Sequence, residues 1–310
     1  MNLQRIDLTS LSLFTLIVRS GSISKGAELA HLAVGAASKR MTDLEGSVGV
    51  QLLERHSRGI SPTVAGQALF ERARNVLREV DHLTADLSDY ASGVVGVIRL
   101  WANTSAITQF LPAELAGFQA ANPGIRIELE EQNSSDVVMA VLDGRADFGI
   151  FADRTPSFGL QLVNYRQDRL VLVVPRGHAL AGRRSVRLEE TLDYDFVSLS
   201  AGTSLAQRLR AETELLGRRL KLRIQVRSFD AMCQMVAVGM GVAVLPEASI
   251  QPHLRSMHLR QIGLQGDWTA RRLMIGLRDA EGVARPVRRL IDHLCESAAR
   301  SGAAIRHGGS

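Results

Sequence analysis

Apolar positions near the start of the chain recur at helical spacing. Leu8, Leu11, Phe14, Leu16, Ile17 and Val18 give a helix with one broad apolar side, capped near Thr9 or Ser10 and stopped by Gly21. The stretch from Gly21 to Arg58 then reads as two short helices joined by a tight turn and followed by a small β-ribbon. Ser22 or Ser24 can cap the first of these, with Lys25, Ala27, Glu28 and Ala30 as good formers behind it. His31-Leu32-Ala33 breaks the pattern, and a second helix runs from about Val34 to Ser47. Ala30, Leu32, Met41, Leu44 and Val48 face the floor supplied by the preceding helix. The outer side is left with Gly35, Ala36, Ser38, Lys39, Arg40 and Thr42. Two helices so closely joined must cross steeply, as in a helix-turn-helix, whose second helix enters the DNA major groove. Val50–Glu54 and Ile60 flank Arg55-His-Ser-Arg-Gly59, a ribbon with a basic tip suited to a minor groove or flanking phosphate.

The pattern then changes period. From Thr63, a plausible cap, a long helix carries Leu69, Ala73, Val76, Val80, Leu83, Leu87 and Tyr90 at spacings of 4, 3, 4, 3, 4, 3. That is the narrow seam of a coiled coil rather than the broad stripe of a core-facing helix, and it predicts pairing with a second copy. Packing on its own chain is the alternative.

After Ala91-Ser-Gly-Val-Val-Gly, strands and helices alternate. The pattern gives a strand Val94–Trp101, a helix Thr104–Asn122, a strand Ile125–Glu130, a helix Ser135–Leu142 and a strand Asp147–Phe151. A second set follows: strand Arg169–Val174, a helix near Leu205–Leu216, strand Lys221–Val226, helix Phe229–Val238 and strand Gly241–Leu245. This rhythm predicts parallel, helix-covered sheet in two lobes with a cleft between them. Strand Arg271–Leu277 and helix Val287–Arg300 lack partners in the second set and are expected to cross back to the first.

Composition changes this picture little. The 310 residues are 45% hydrophobic and 22% charged, an ordinary globular balance. The net charge of +5 is spread out: residues 1–62 hold seven basic and five acidic side chains, and only Lys25, Lys39 and Lys221 are lysines. Any DNA contact must therefore come from a shaped surface rather than from bulk charge. Cys233 and Cys295 have no C-x-x-C spacing and read as structural thiols in a reducing compartment, while His253 and His258, five apart, would not share a helix face as metal ligands. No metal or cofactor is expected. Leu11–Val18 is too short to span a membrane, no charged leader precedes it, and a cytoplasmic location is expected.

The order helix, helix-turn-helix, wing, heptad helix and two-lobed α/β domain resembles that of LysR-type transcriptional regulators. The likeness covers essentially all of residues 8–298 and is most specific from Phe14 to Gly66: F-x-x-I-V-x-S-G-S-I-S-K-G-A-E-L-A-H-L, A-A-S-K-R-M-x-D-L-E, G-V-Q-L-L-E-R and T-V-A-G. Later marks are N-P-G-I-R-I-E-L, L-D-G-R-A-D-F-G-I, P-R-G-H-A-L and V-A-V-G-M-G-V-A-V-L-P. The resemblance implies a winged helix-turn-helix over 1–62, a linker and dimerisation helix over 63–91, and a two-lobed, doubly wound α/β effector domain over 92–310. In that domain lobe I comprises about 92–163 and 269–300, and lobe II about 164–268. DNA-contacting positions carry over as Ser24, Val34, Gly35, Ser38, Lys39 and Arg40, with Arg55 and Arg58 in the wing. The chain departs from the family at the front of the second helix, where Ala33, Val34 and Gly35 replace the usual serine, glutamine and proline. The missing serine removes a cap worth about 1 kcal/mol, and the missing glutamine a bidentate contact to adenine.

Cleft positions carry over as Thr104, Ser105, Gln132, Phe151, Ser200, Thr203 and Phe229. Thr104-Ser105 and Thr203-Ser204 open predicted helices, where hydroxyls and free amides favour a carboxylate or phosphate, although N-capping alone would also explain them. Implied partners are operator DNA, a small anionic effector, and a second copy in a homodimer or homotetramer, with RNA polymerase as a further candidate. Three other readings compete. An effector-independent regulator of the same fold is one. An enzyme with a DNA-binding appendage is another, but G-x-S-x-G, H-E-x-x-H and Walker A motifs are all missing. A transporter's solute-binding protein is disfavoured by the N-terminal helices.

Overall fold

The computed structural model describes residues 6–56, 59–91 and 96–307 and divides into two compact units, 1–92 and 93–310. In the first, helix α1 (Leu8–Ser20) begins at Asp7, whose carboxylate accepts the Ser10 N–H, and ends at Gly21 in the left-handed region. Asp7 rather than Thr9 or Ser10 is the cap. The buried stripe of α1 is Leu11, Leu13, Phe14 and Ile17, whereas Leu8 is exposed. The sequence pattern admitted Leu8 and passed over Leu13, yet Leu13 sits in the core with Phe14 and Ile17 and Leu8 lies outside it. Helix α2 (Ile23–Leu29), capped by Ser22, crosses α1 so closely that a Cβ on Gly26 would lie 2.5 Å from Ile17 Cγ1. Helix α3 (Val34–Val48) follows after a four-residue turn, Ala30–Ala33, and adds Ala37, Met41 and Leu44 to the same core. Strands β1 (Leu53–His56) and β2 (Gly59–Pro62) pair antiparallel to form the wing.

Helix α4 (Val64–Ala91) starts at Thr63, whose hydroxyl accepts the Gly66 N–H at 2.9 Å. The heptad seam serves two purposes. Its first positions, Leu69 and Ala73, pack into or beside the core of the unit itself, while Val76 and Leu83 are left exposed. The side chains of Leu87 and Tyr90 lie outside the described residues.

The second unit runs β3 (Gly96–Ala102), α5 (Thr104–Gln109), α6 (Leu111–Ala121), β4 (Ile125–Glu131), α7 (Ser134–Leu142) and β5 (Phe148–Ala152). The single helix expected over Thr104–Asn122 is broken at Phe110. Pro112 has no N–H to give the carbonyl four residues back, so the helix restarts with the proline in its first turn. Next come β6 (Gln161–Pro175), β7 (Ser185–Val186), β8 (Asp195–Leu199), α8 (Ser204–Leu215), β9 (Lys221–Val226), α9 (Phe229–Ala237), β10 (Ala243–Pro246), α10 (Glu247–Ser256), β11 (Leu259–Leu264), β12 (Ala270–Leu277) and α11 (Arg285–His307).

The sheet is mixed, not parallel. β3 pairs parallel with β4 and β5, and β8 with β9, but β12 runs antiparallel to β5 and β6, and β10 and β11 run antiparallel to β6. The parallel expectation failed where the chain crosses between lobes, because each crossing strand must return against its neighbour. β6 is continuous through both lobes: Gln161–Arg169 pairs with β12, and Leu170–Pro175 with β10 and β11. The changeover therefore sits at Arg169–Leu170, beyond the expected boundary at 163/164. Ile98, Leu100, Phe118, Phe148, Ile150 and Leu290 fill one core. Leu172, Phe196, Leu209, Val236, Val244 and Ile262 fill the other. At roughly 1.5–3 kcal/mol per buried large apolar side chain, these clusters hold each lobe together.

Candidate functional site

Helix α3 presents an exposed face opposite its buried Ala37, Met41 and Leu44. Its N-cap is Ala33, which makes no side-chain bond to the helix. Val34 is 48% exposed, Gly35 and Lys39 are exposed, and a Cβ added at Gly35 would meet nothing within 4 Å. Ser38 is half-buried, and Ser24 on α2 is exposed. Ser38 and Thr42 border a groove of about 480 Å³ whose other wall is formed by Leu53, Glu54 and His56 of the wing. Glu45 at the far end of α3 accepts the Leu52 and Leu53 N–H groups at 2.8 and 3.0 Å, which fixes the first wing strand against the helix. His56 Nε2 and Ser61 Oγ, 2.9 Å apart, tie the two strands. Arg55 occupies β1 opposite Ile60; Arg58 lies outside the described residues.

Arg40 is engaged within the unit. Its Nη1 lies 2.9 and 3.1 Å from the two carboxylate oxygens of Asp7 and 3.1 Å from Ser10 Oγ. Partial burial works against ionisation of Asp7. The Ser10 N–H and hydroxyl, with the Arg40 charge, outweigh it and hold the carboxyl below its ordinary value. Arg40 is a clasp between α3 and the start of α1.

In the second unit, the N-terminal ends of α5 and α8 converge with the β4–α7 turn and the start of α9 on a cavity of about 20 Å³. Thr104, Ser105, Gln132, Thr203 and Phe229 all line it, as expected from sequence. Phe151 and Ser200 do not. The Phe151 ring, 1% exposed, packs under α7 among Val137, Val138 and Leu160, in space left by the missing side chain of Gly276, where a Cβ would lie 2.5 Å from the ring. The Ser200 hydroxyl is bonded to the Val226 carbonyl, and the Ser200 carbonyl accepts from Thr203 Oγ1.

Asn103, unforeseen, is the cap of α5: its Oδ1 accepts the Ala106 N–H at 3.0 Å, and its Nδ2 donates to Ser134 Oγ at 3.1 Å. Thr104 Oγ1 donates to Glu131 at 2.6 Å. Thr203 caps α8. No charged side chain lines the cavity, but one stands directly behind it. Arg271, 1% exposed on β12, donates to Ser105 Oγ at 3.1 Å and pairs with Asp168, its cross-strand neighbour on β6.

One turn beyond the cleft, Arg208 of α8 is also buried. Its guanidinium donates to the Trp268 and Ala270 carbonyls at 2.7 and 2.6 Å and to Asp153 at 3.0 Å, binding lobe II to the returning crossover. Burial pulls its pKa down, against the opposing pull of Asp153. Among the described residues no cluster of His, Cys, Asp and Glu could hold a metal ion, and no helix is long and apolar enough to cross a membrane.

Residues 8–67 match the bacterial regulatory helix-turn-helix model of the lysR family, and residues 91–299 match the LysR substrate binding domain. The chain belongs to the LysR family. It is similar to the transcriptional activator CmpR of Synechocystis sp., 26% identical over 245 residues, 78% of this chain and 80% of that one. It is also similar to the RuBisCO operon transcriptional regulator of Allochromatium vinosum, 25% identical over 264 residues, 84% and 86% of the two chains. Among solved structures, full-length CbnR complexed with its target DNA superposes with a TM-score of 0.65 at 21% identity, covering 94% of this chain and all of CbnR. The regulatory domain of Synechocystis CcmR in complex with 2-PG superposes at 0.61 and 21% identity, covering 66% and 97%. This LysR-family chain is thus a DNA-binding transcriptional regulator with an effector-binding domain.

Proposed function

We propose that the protein binds operator DNA through α3 and the wing as a homodimer, and that a small oxyanionic effector in the cleft sets its affinity. The observation that carries this reading is the convergence of Thr104, Ser105, Gln132, Thr203 and Phe229, distant in sequence, on one polar cleft. The exposed face of α3 supports Ser38 and Lys39 as the groove-facing donors, with Val34 and Gly35 allowing close approach. Arg55 and Arg58 are assigned to flanking phosphates. The exposed lower seam of α4, with Val76 and Leu83, supports a dimer through that helix and two recognition helices per complex. Higher assembly to a tetramer, contact with RNA polymerase, a cytoplasmic location and a regulatory rather than enzymatic role belong to the same reading. The complex of CcmR with 2-PG supports a small-molecule effector.

A cavity of about 20 Å³ has room for about one water, so an organic effector enters only when the lobes part. Linkage then requires that operator DNA change effector affinity by the factor by which effector changes operator affinity. The test is a gel shift with DNA from upstream of the protein's own gene, across a salt series. Salt-sensitive, sequence-selective binding is expected; equal binding to every fragment would refute the reading.

A further inference from the structure

The floor of the cleft is made of hydroxyls whose hydrogen-bonding sense is set from behind. Ser105 Oγ, on a residue 4% exposed, accepts from Arg271 Nη2 at 3.1 Å. Ser134 Oγ, on a residue 3% exposed, accepts from Asn103 Nδ2 at 3.1 Å and from the Ala152 N–H at 3.3 Å. The orientation of the Asn103 amide is not arbitrary, since its oxygen takes the Ala106 N–H. A guanidinium, an amide NH2 and a backbone N–H can only donate, so these contacts occupy serine lone pairs. Ser134, with both lone pairs taken, has only its proton left to offer the cleft, while Ser105 has its proton and one lone pair. Thr104 is the opposite case: its proton is given to Glu131, leaving an acceptor.

Arg271 is held in this role by its own surroundings. Asp168 takes Nε at 2.8 Å and Nη2, and Gln109 Nε2 donates to the same carboxylate at 3.2 Å. The ion pair is almost wholly buried, with 1% and 3% of the two side chains exposed. Arg271 Nη1 is buried without a partner, so the guanidinium beside Ser105 carries one donor group more than the surrounding protein uses. Leaving a buried donor unmade is costly, and sites that tolerate it call for an explanation. Because Asp168 balances the charge, a ligand meets oriented donors rather than a bare cation.

We propose that Arg271 is a specificity-determining, positioning residue of the cleft. By donating to Ser105 Oγ it takes up one of that serine's two lone pairs and biases it to donate, so that Ser105, beside the fully committed donor Ser134, favours an oxyanion, a carboxylate or a phosphate, over a neutral hydroxylic ligand. A hydroxyl on the ligand could pair with a serine of either sense, whereas an oxyanion can pair only with a donor. The inference rests on the cleft being the effector site and adds the chemistry by which it chooses.

The test uses the full chain, with acetate, inorganic phosphate and glycerol as probes, titrated by calorimetry at constant ionic strength. Acetate and phosphate separate the two oxyanion sources. Four variants are compared with wild type. Ser105→Ala removes the donor. Arg271→Met combined with Asp168→Leu removes both charges, so that neither is left buried alone. Arg271→Lys keeps a donor to Ser105. Ser105→Cys keeps the shape but weakens the donor. Wild type should bind at least one oxyanion saturably and favour it over glycerol. Ser105→Ala and the double variant should each lose about tenfold in that oxyanion's affinity, the order of one hydrogen bond to a charged group. Glycerol binding should be unchanged or improved in the double variant, and Arg271→Lys should recover most of the selectivity.

A ratio of oxyanion to glycerol affinity that stays at its wild-type value in the double variant would overturn the proposal, even if both affinities fall, because damage to the fold lowers the two alike. Should the double variant not fold, the comparison of Ser105→Ala and Ser105→Cys decides on the same ratio. Wild-type protein that binds neither oxyanion also overturns it. Operator binding in the gel shift is read separately, so failure of the regulator reading would be recognised as such.

Discussion

Arg40, in the middle of the exposed helix α3, points its guanidinium at Asp7, with Nη1 2.9 Å from the carboxylate that caps α1. A cation committed in this way adds no counterion release when DNA binds. Lys39→Met should lower the slope of log Kobs against log salt by about 0.9, the contribution of one phosphate contact. Arg40→Met should leave the slope as it is and lower the urea midpoint instead. Equal slope losses in both variants would place Arg40 on the DNA.

The same pair gives a pH dependence whose sign is fixed. The Asp7 carboxyl is held below its ordinary value in the folded protein, so its contribution is complete above the unfolded pKa of about 3.9 and is lost as pH falls through the folded value. The stability difference between wild type and Asp7→Asn should therefore be full at neutral pH and shrink in acid. Urea midpoints near neutrality and in acid measure it, and a gap that widens in acid would contradict the assignment.

The seam of α4 should respond to charge differently along its length. Leu83 is 58% exposed and Ala73 only 1%. Leu83→Glu should yield folded monomers by light scattering and weaken operator binding. Ala73→Asp should destabilise the first unit itself by several kcal/mol, on the order of 3, through a buried unpaired charge. Dimers retained in Leu83→Glu would move the interface off this helix.

Arg208 serves three acceptors with one guanidinium. Arg208→Ala strands the Asp153 carboxylate beside two buried carbonyls and should cost about 3–5 kcal/mol in urea denaturation. Asp153 also has Arg272 at 3.8 Å, which places the effect toward the lower end.

Burial pushes the Cys233 thiol up to about 11, with Asp230 adding to the effect, and Cys295 is raised by burial as well. Little thiolate exists near neutral pH, so alkylation of native protein should be slow at both sites and become fast in urea. Rapid labelling of the native protein at pH 7.5 would show that the core around Cys233 opens readily.

How much of this could be read in the sequence depended on how local each determinant was. The helix-turn-helix was legible because its three helices bury Phe14, Ile17, Met41 and Leu44 at regular spacing within one short stretch. The lack of a cap at Ala33 was legible too, since capping is a matter of one side chain and its neighbours. Five cleft residues were found because they open helices or follow strand ends. Phe151 failed because its fate was decided by Gly276, a partner more than a hundred residues away that makes room for the ring. The Arg40–Asp7 contact was hidden for the same reason in miniature, its partner capping a different helix. The long strand β6 was seen only in its second half. Its first half, Gln161–Arg169, is mostly polar, with only Leu162, Val163 and Tyr165 apolar, and is held by a neighbour, β12, that enters the chain much later.

Because β6 runs through both lobes and the chain returns beside it at Trp268–Ala270 to enter β12, two adjacent crossings join the lobes rather than a single tether. Neighbouring strands held in register resist sliding and separation but yield to bending and twisting at one place, here around Arg169–Leu170 and Trp268–Ala270. The opening of the cleft is thereby reduced to close to a single angle. Molecules of different shape that wedge the same gap would all act through this one joint.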